Sequence, residues 1–302
     1  MQATNPTLQK GAIWYIASIA PFFLPAVSFE SALFAILSPL PLFLLTAKNR
    51  LAVSLLALAT NGALVYTMTA NKHETLVALS LWSLIGILFP FFIRKSGRIK
   101  TSFLATLAIT LALVFGTLVH FAREAGLEPV AYVKSEVSLG IDRMVTLPDS
   151  PIKQIVEEQG KETFQKQLVT ELPSGVVIGL IITFWINLLF ASRLVPGFLP
   201  EGFWSNYQNP EWLVWPTLAC AALFSFTDHA LYYIGLNGFK ILILFYGFQG
   251  LSVLSHLLNR YKILGLGRAL IFSLAVFVVM PIVLSLGFFD LWFDFRKKLS
   301  QQ

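Results

Sequence analysis

Apolar residues run through this chain in blocks of about twenty, and polar residues collect between the blocks. The block from Phe239 to Leu258, FKILILFYGFQGLSVLSHLL, sets the pattern. Its one charge, Lys240, stands at its start. At about 1.5 Å per helical residue, such a block matches a hydrocarbon core of roughly 30 Å. Near its middle stands Gln249, an amide that lipid cannot satisfy. That side chain is expected to face protein or a water-filled cavity.

The same pattern predicts further helices on either side. The first two spans are expected at about Gly11 to Phe29 and Ser31 to Thr46, a hairpin kinked by Pro21, Pro25, Pro39 and Pro41. The third runs from about Leu51 to Thr69 and carries Asn61, and the fourth from about Thr75 to Ile93. The basic turn RKSGRIK follows, and then a fifth span from about Thr101 to Phe121. Ala108, Ala112 and Gly116 recur every fourth residue there, a stripe that admits a close helical neighbour. The sixth span is about Gly175 to Leu194, with Asn187 in its second half. The seventh is about Leu213 to Phe226, the eighth is the block around Gln249, and the ninth is about Leu266 to Phe289.

Residues 122–173 form the one sizeable polar stretch, a loop inserted between spans five and six. Asp149-Ser150-Pro151 reads there as a helix start, a capping side chain followed by proline in the first turn. Ile152, Val156, Phe164, Leu168 and Leu172 follow at multiples of four, predicting one amphipathic helix that Gly160 weakens. The expected architecture is therefore all-α: a single membrane domain over residues 1–302, about eight or nine spans, with one amphipathic helix in the polar loop.

Composition agrees. Of 302 residues, 56% are hydrophobic and 13% charged, against about 25% charged in a soluble domain. The net charge of +6 gathers in turns between apolar blocks, without the basic-aromatic patterns of nucleic-acid binders. Lipid is thus the expected surrounding, and nucleic acid is not an expected partner. The excess of cations on one side places the N-terminus in the cytoplasm and the polar loop outside. The basic tail FRKK runs against that parity.

Chemistry is sparse. Cys220 stands alone in an apolar run and reads as helix filler. Motifs for zinc hydrolysis, a nucleophile elbow, a phosphate loop or a dinucleotide fold do not occur, so neither catalytic nor metal residues nor a cofactor are expected. Asp290, Asp294 and Arg296 read as a solvated charge cluster at a span end. The remaining candidates are polar groups inside apolar blocks: Asn61, His120, Asn187, Gln249 and His256. Such groups either bond between helices or mark a pathway or binding site. Asn187, Gln249 and Tyr246, with Asn61, are the expected ligand-binding or core-network residues.

Several stretches resemble the bacterial YybS-like family of membrane proteins. They are GAIWYIASIAPFFLP and LSPLPLFLLTAKNRLAVSLLAL near the start, INLLFASRLV in the sixth span, and GLNGFKILILFYGFQGLSVLSHLLNR with LGFFDLWFDFRKK near the end. That family is remotely similar to the substrate-binding components of energy-coupling-factor vitamin transporters. The resemblance implies a compact helical bundle in a bacterial cytoplasmic membrane, with a small-molecule pocket toward the outer face. Two functions are expected: from the embedded amides and this resemblance, a component that binds or transports a small solute; from the Ala108, Ala112 and Gly116 stripe and the polar loop, a non-transporting scaffold that docks a membrane-protein partner.

Overall fold

A computed structural model describes residues 36–68, 79–148, 150–226 and 229–300. The first expected span, and the prolines Pro21 and Pro25 within it, lie outside the described residues, as does Asp149. The described residues are helical, with no strand among them. They fall into two compact units: residues 1–142 with 179–199, and residues 143–178 with 200–302.

The first unit contains α1 (Leu40–Ala47), α2 (Leu51–Met68), α3 (Leu79–Ser96) and α4 (Ile99–Glu124). α3 widens to a π turn over Leu84–Leu88, where the Phe89 N–H reaches back to the Leu84 carbonyl. Pro90 follows at once. It has no N–H for the carbonyl four residues back, and the extra residue in that turn absorbs the mismatch. Aromatic rings fill the core here. Phe89 meets Phe43 at 5.8 Å, Phe184 at 5.0 Å and Phe103 at 6.3 Å, each edge-on. That arrangement sets the positive ring edge against the negative face. Arg94 donates to the carbonyl of Ala47 and so caps the end of α1.

α4 buries Ser102, Thr106 and Thr110. The two threonines donate back to the carbonyls four residues earlier, which leaves neither hydroxyl unsatisfied. The expected close-packing stripe of Ala108, Ala112 and Gly116 is on the exposed side instead. A side chain added at Gly116 would meet nothing within 4 Å.

The polar stretch folds into more helix than its pattern predicts. α5 covers Pro129–Val145, α6 covers Pro151–Gln159, and α7 runs unbroken from Lys161 to Leu194. The expected amphipathic helix is thus split at Gly160, at a positive φ of 83°: Ile152 and Val156 lie on α6, while Phe164, Leu168 and Leu172 lie on α7, continuous with the sixth expected span. Pro173 lies inside α7.

The second unit is built around α9 (His229–Arg260), together with α8 (Val214–Leu223), α10 (Gly265–Phe277), α11 (Met280–Phe293) and α12 (Phe295–Ser300). α9 and α11 cross with their backbones nearly touching. A Cβ on Gly250 would fall on the Val283 carbonyl, and one on Gly287 would fall on the Tyr246 carbonyl. Only glycine fits at either position, as at close crossings of membrane helices.

Four helices among the described residues are long and apolar enough to cross a membrane: Leu79–Ser96, Ile99–Glu124, Lys161–Leu194 and Ala230–Arg260. α10 and α11 together would make a fifth, but they bend by 92° across Val278 and Val279. The expected seventh span is a short helix, Glu211–Leu223. The described residues therefore support four or five crossings, and the expected eight or nine are not reached among them.

Candidate functional site

The most concentrated chemistry lies on the inner face of α9 in the second unit. Gln249 is 1% exposed. Its Oε1 accepts from the backbone N–H of Asn209 at 3.1 Å, and its Nε2 donates to Asp290 Oδ2 at 2.9 Å. Asp290 in turn takes Arg296 Nη2 at 2.6 Å and the Phe295 N–H at 3.0 Å. Arg296 also donates from Nη1 to the Tyr207 carbonyl at 2.8 Å and toward Ser252 Oγ at 3.4 Å. Asn209 donates from Nδ2 to the Phe245 carbonyl at 2.9 Å and accepts from the Tyr207 hydroxyl at 2.9 Å. A tyrosine phenol titrates far above neutral pH, at about 10, so the Tyr207 hydroxyl is a donor there.

This network corrects one expectation. Asp290 and Arg296 are not a solvated cluster; they form an ion pair with side chains 0% and 8% exposed. The reason is Asp294, which takes a left-handed conformation at φ 40° and ends α11. Asp tolerates that region better than most residues. The reversal swings Arg296 back onto the last full turn of α11. A carboxylate within GFFDLWFDF, flanked by aromatic residues on both sides, was the available signal.

The four residues singled out from the sequence divide between the units. Gln249 and Tyr246 share α9 in the second unit. Tyr246 is buried, edge-on to Phe288 at 5.2 Å, and Thr217 Oγ1 lies 3.4 Å from its hydroxyl. Asn187 and Asn61 are both fully buried in the first unit, on α7 and α2. Asn187 Nδ2 donates to the carbonyls of Ile36 and Thr183, each at 2.8 Å. Its Oδ1 is buried and has no hydrogen-bond partner among the described residues.

A residue the sequence reading passed over, Asn237, is equally placed. Its Oδ1 accepts from the Ser174 N–H at 2.9 Å, and its Nδ2 donates to the Thr170 carbonyl at 2.9 Å. Beside it Lys240 Nζ pairs with Glu171 at 2.8 Å. His120 is exposed and lies 3.5 Å from Glu124, a carboxylate one turn further along α4. Among the described residues no group of His, Cys, Asp and Glu could hold a metal ion.

Apolar helices of crossing length with buried polar layers define a helical membrane protein. The chain belongs to the DUF2232 family of predicted membrane proteins, which it matches over residues 12–291. No curated protein and no solved structure matches it.

Proposed function

We propose that this protein binds, and as part of a larger assembly transports, a small solute in a bacterial cytoplasmic membrane. The observation that carries the reading is the Asp290–Arg296 ion pair joined to Gln249, set among apolar helices and almost fully buried. Ionisable groups at such positions are costly, and they mark solute sites and pathways more often than passive packing. The polar layer around Gln249, with Tyr246 beside it, is the proposed site. Asn187 and Asn61 form the corresponding polar positions of the first unit. The likeness to YybS-like proteins, and through them to the substrate-binding components of vitamin transporters, supports the same reading.

The experiment is a thermal-shift screen of water-soluble metabolites on detergent-purified protein. A metabolite that raises the melting temperature of the native chain is expected to lose its effect in Gln249→Leu and to weaken in Tyr246→Phe. Stabilisation that persists in both variants places the solute elsewhere and overturns the assignment of the site.

The scaffold reading rests on a different observation, the uncovered stripe of Ala108, Ala112 and Gly116. A stoichiometric membrane-protein partner in native-membrane pulldowns, lost on Ala112→Leu, would favour it. An ATPase among the captured proteins would favour transport.

A further inference from the structure

We infer that the second unit holds a water-filled recess reaching the mid-depth of the bilayer, lined by residues 200–210 and by α12. The argument is one of length. α9 carries two polar layers, Asn237 with Lys240 and Gln249 with Ser252. Twelve residues separate Asn237 from Gln249, about 18 Å along the axis. A hydrocarbon core of about 30 Å leaves no register in which a crossing α9 keeps both layers outside lipid.

The cost of each register decides between them. The Lys240–Glu171 pair is partly exposed, at 33% and 40% of the two side chains. At the bilayer centre an exposed charge costs about 3 kcal/mol or more. At an interface it costs little, because a lysine stem lies in the apolar layer with its ammonium in water. Arg260 stands twenty residues beyond Lys240, about 30 Å, and is also exposed. With these two cations at opposite interfaces, Gln249 lies within about 2 Å of the midplane.

The groups bonded to Gln249 then lie at the same depth. They include irregular backbone: the Asn209 N–H on Gln249 and the Tyr207 carbonyl on Arg296. Non-helical backbone persists at that depth only where protein or water covers it. Asn206 is exposed on the same segment, and Lys297 and Lys298 are exposed directly after Arg296. Acyl chains cannot solvate them, so water does. The recess admits small hydrophilic solutes to the layer that the proposed function uses. It rests on depth alone and does not require that any solute bind.

The test uses spin labels in proteoliposomes, on the full chain with Cys220→Ala. Labels go at Asn206→Cys and Lys297→Cys, and at Phe289→Cys, an exposed residue beside Asp290. Accessibility is read with oxygen, which partitions into lipid, and with a water-soluble nickel chelate. Phe289→Cys is expected to read as deep, oxygen exceeding nickel. Asn206→Cys and Lys297→Cys are expected to show a nickel-to-oxygen ratio several-fold higher. A Phe289→Cys label that reads at the interface overturns the depth, and oxygen-dominated labels at both recess positions overturn the water. If the labels behave as expected and no metabolite stabilises the protein, the recess stands and the proposed function falls.

Discussion

Asn237 closes the helical rung that Pro173 opens. In a regular helix the Ser174 N–H would meet the Thr170 carbonyl directly. Here the Asn237 amide stands between them, accepting from one and donating to the other at 2.9 Å each. Proline within α7 forces its neighbours apart, and a side chain on α9 bonds the groups so separated. Removing Asn237 therefore strands a buried N–H and a part-buried carbonyl, at about 1–3 kcal/mol. Asn237→Leu is expected to destabilise the protein strongly in the native background and much less in Pro173→Ala, where the rung closes on itself. A double-mutant cycle on unfolding in detergent measures the coupling, and additive effects would refute the repair.

The Asp290–Arg296 pair gives a second expectation. Asp290→Asn leaves a guanidinium buried without its counter-charge, and Arg296→Gln leaves a carboxylate in that state. Each is expected to cost about 3–5 kcal/mol. Asp290→Leu with Arg296→Met removes both charges and should recover most of the loss. Chemical unfolding midpoints of the three variants decide the matter, the expected order being double variant above either single one.

Two glycines at the α9–α11 crossing should be intolerant. Gly250→Ala and Gly287→Ala each place a methyl on a facing carbonyl, so the helices must separate. Overpacking of this kind costs about 1–3 kcal/mol or more. Gly116→Ala, in open space on α4, should instead stabilise by roughly 0.5–1 kcal/mol. Thermal melts of all three variants, compared side by side, test the opposite signs.

The two buried amides should differ in consequence. Gln249→Leu removes a bond to a buried carboxylate and to the Asn209 backbone, a large loss. Asn187→Leu removes donors to two carbonyls, one of them in its own helix, and also removes an oxygen without a described partner. At about 0.6 kcal/mol per membrane hydrogen bond, its cost should stay near 1 kcal/mol. A melting-temperature drop for Asn187→Leu equal to that for Gln249→Leu would contradict this ranking.

The helical membrane class was legible in the sequence because block length and the scarcity of charge are local properties. The burial of Gln249 and Asn187 was legible too, since an amide in an apolar block has few acceptable places. What escaped was long-range or chiral. Nothing in the local pattern pairs Asn237 with a proline 64 residues earlier. The ion pair of Asp290 and Arg296 depends on a left-handed residue between them, so linear spacing put both in water. The continuity of α7 was hidden because proline and a change from polar to apolar composition coincide at Pro173.

The elbow at Val278 and Val279 bears on how such chains are oriented. Counting basic loops assumes that every greasy block leaves the bilayer opposite to where it entered. Where a block turns through a right angle and does not cross, that count is off by one crossing. The final lysines are then delivered to the level at which the chain turned, and the sign of everything counted from that end reverses.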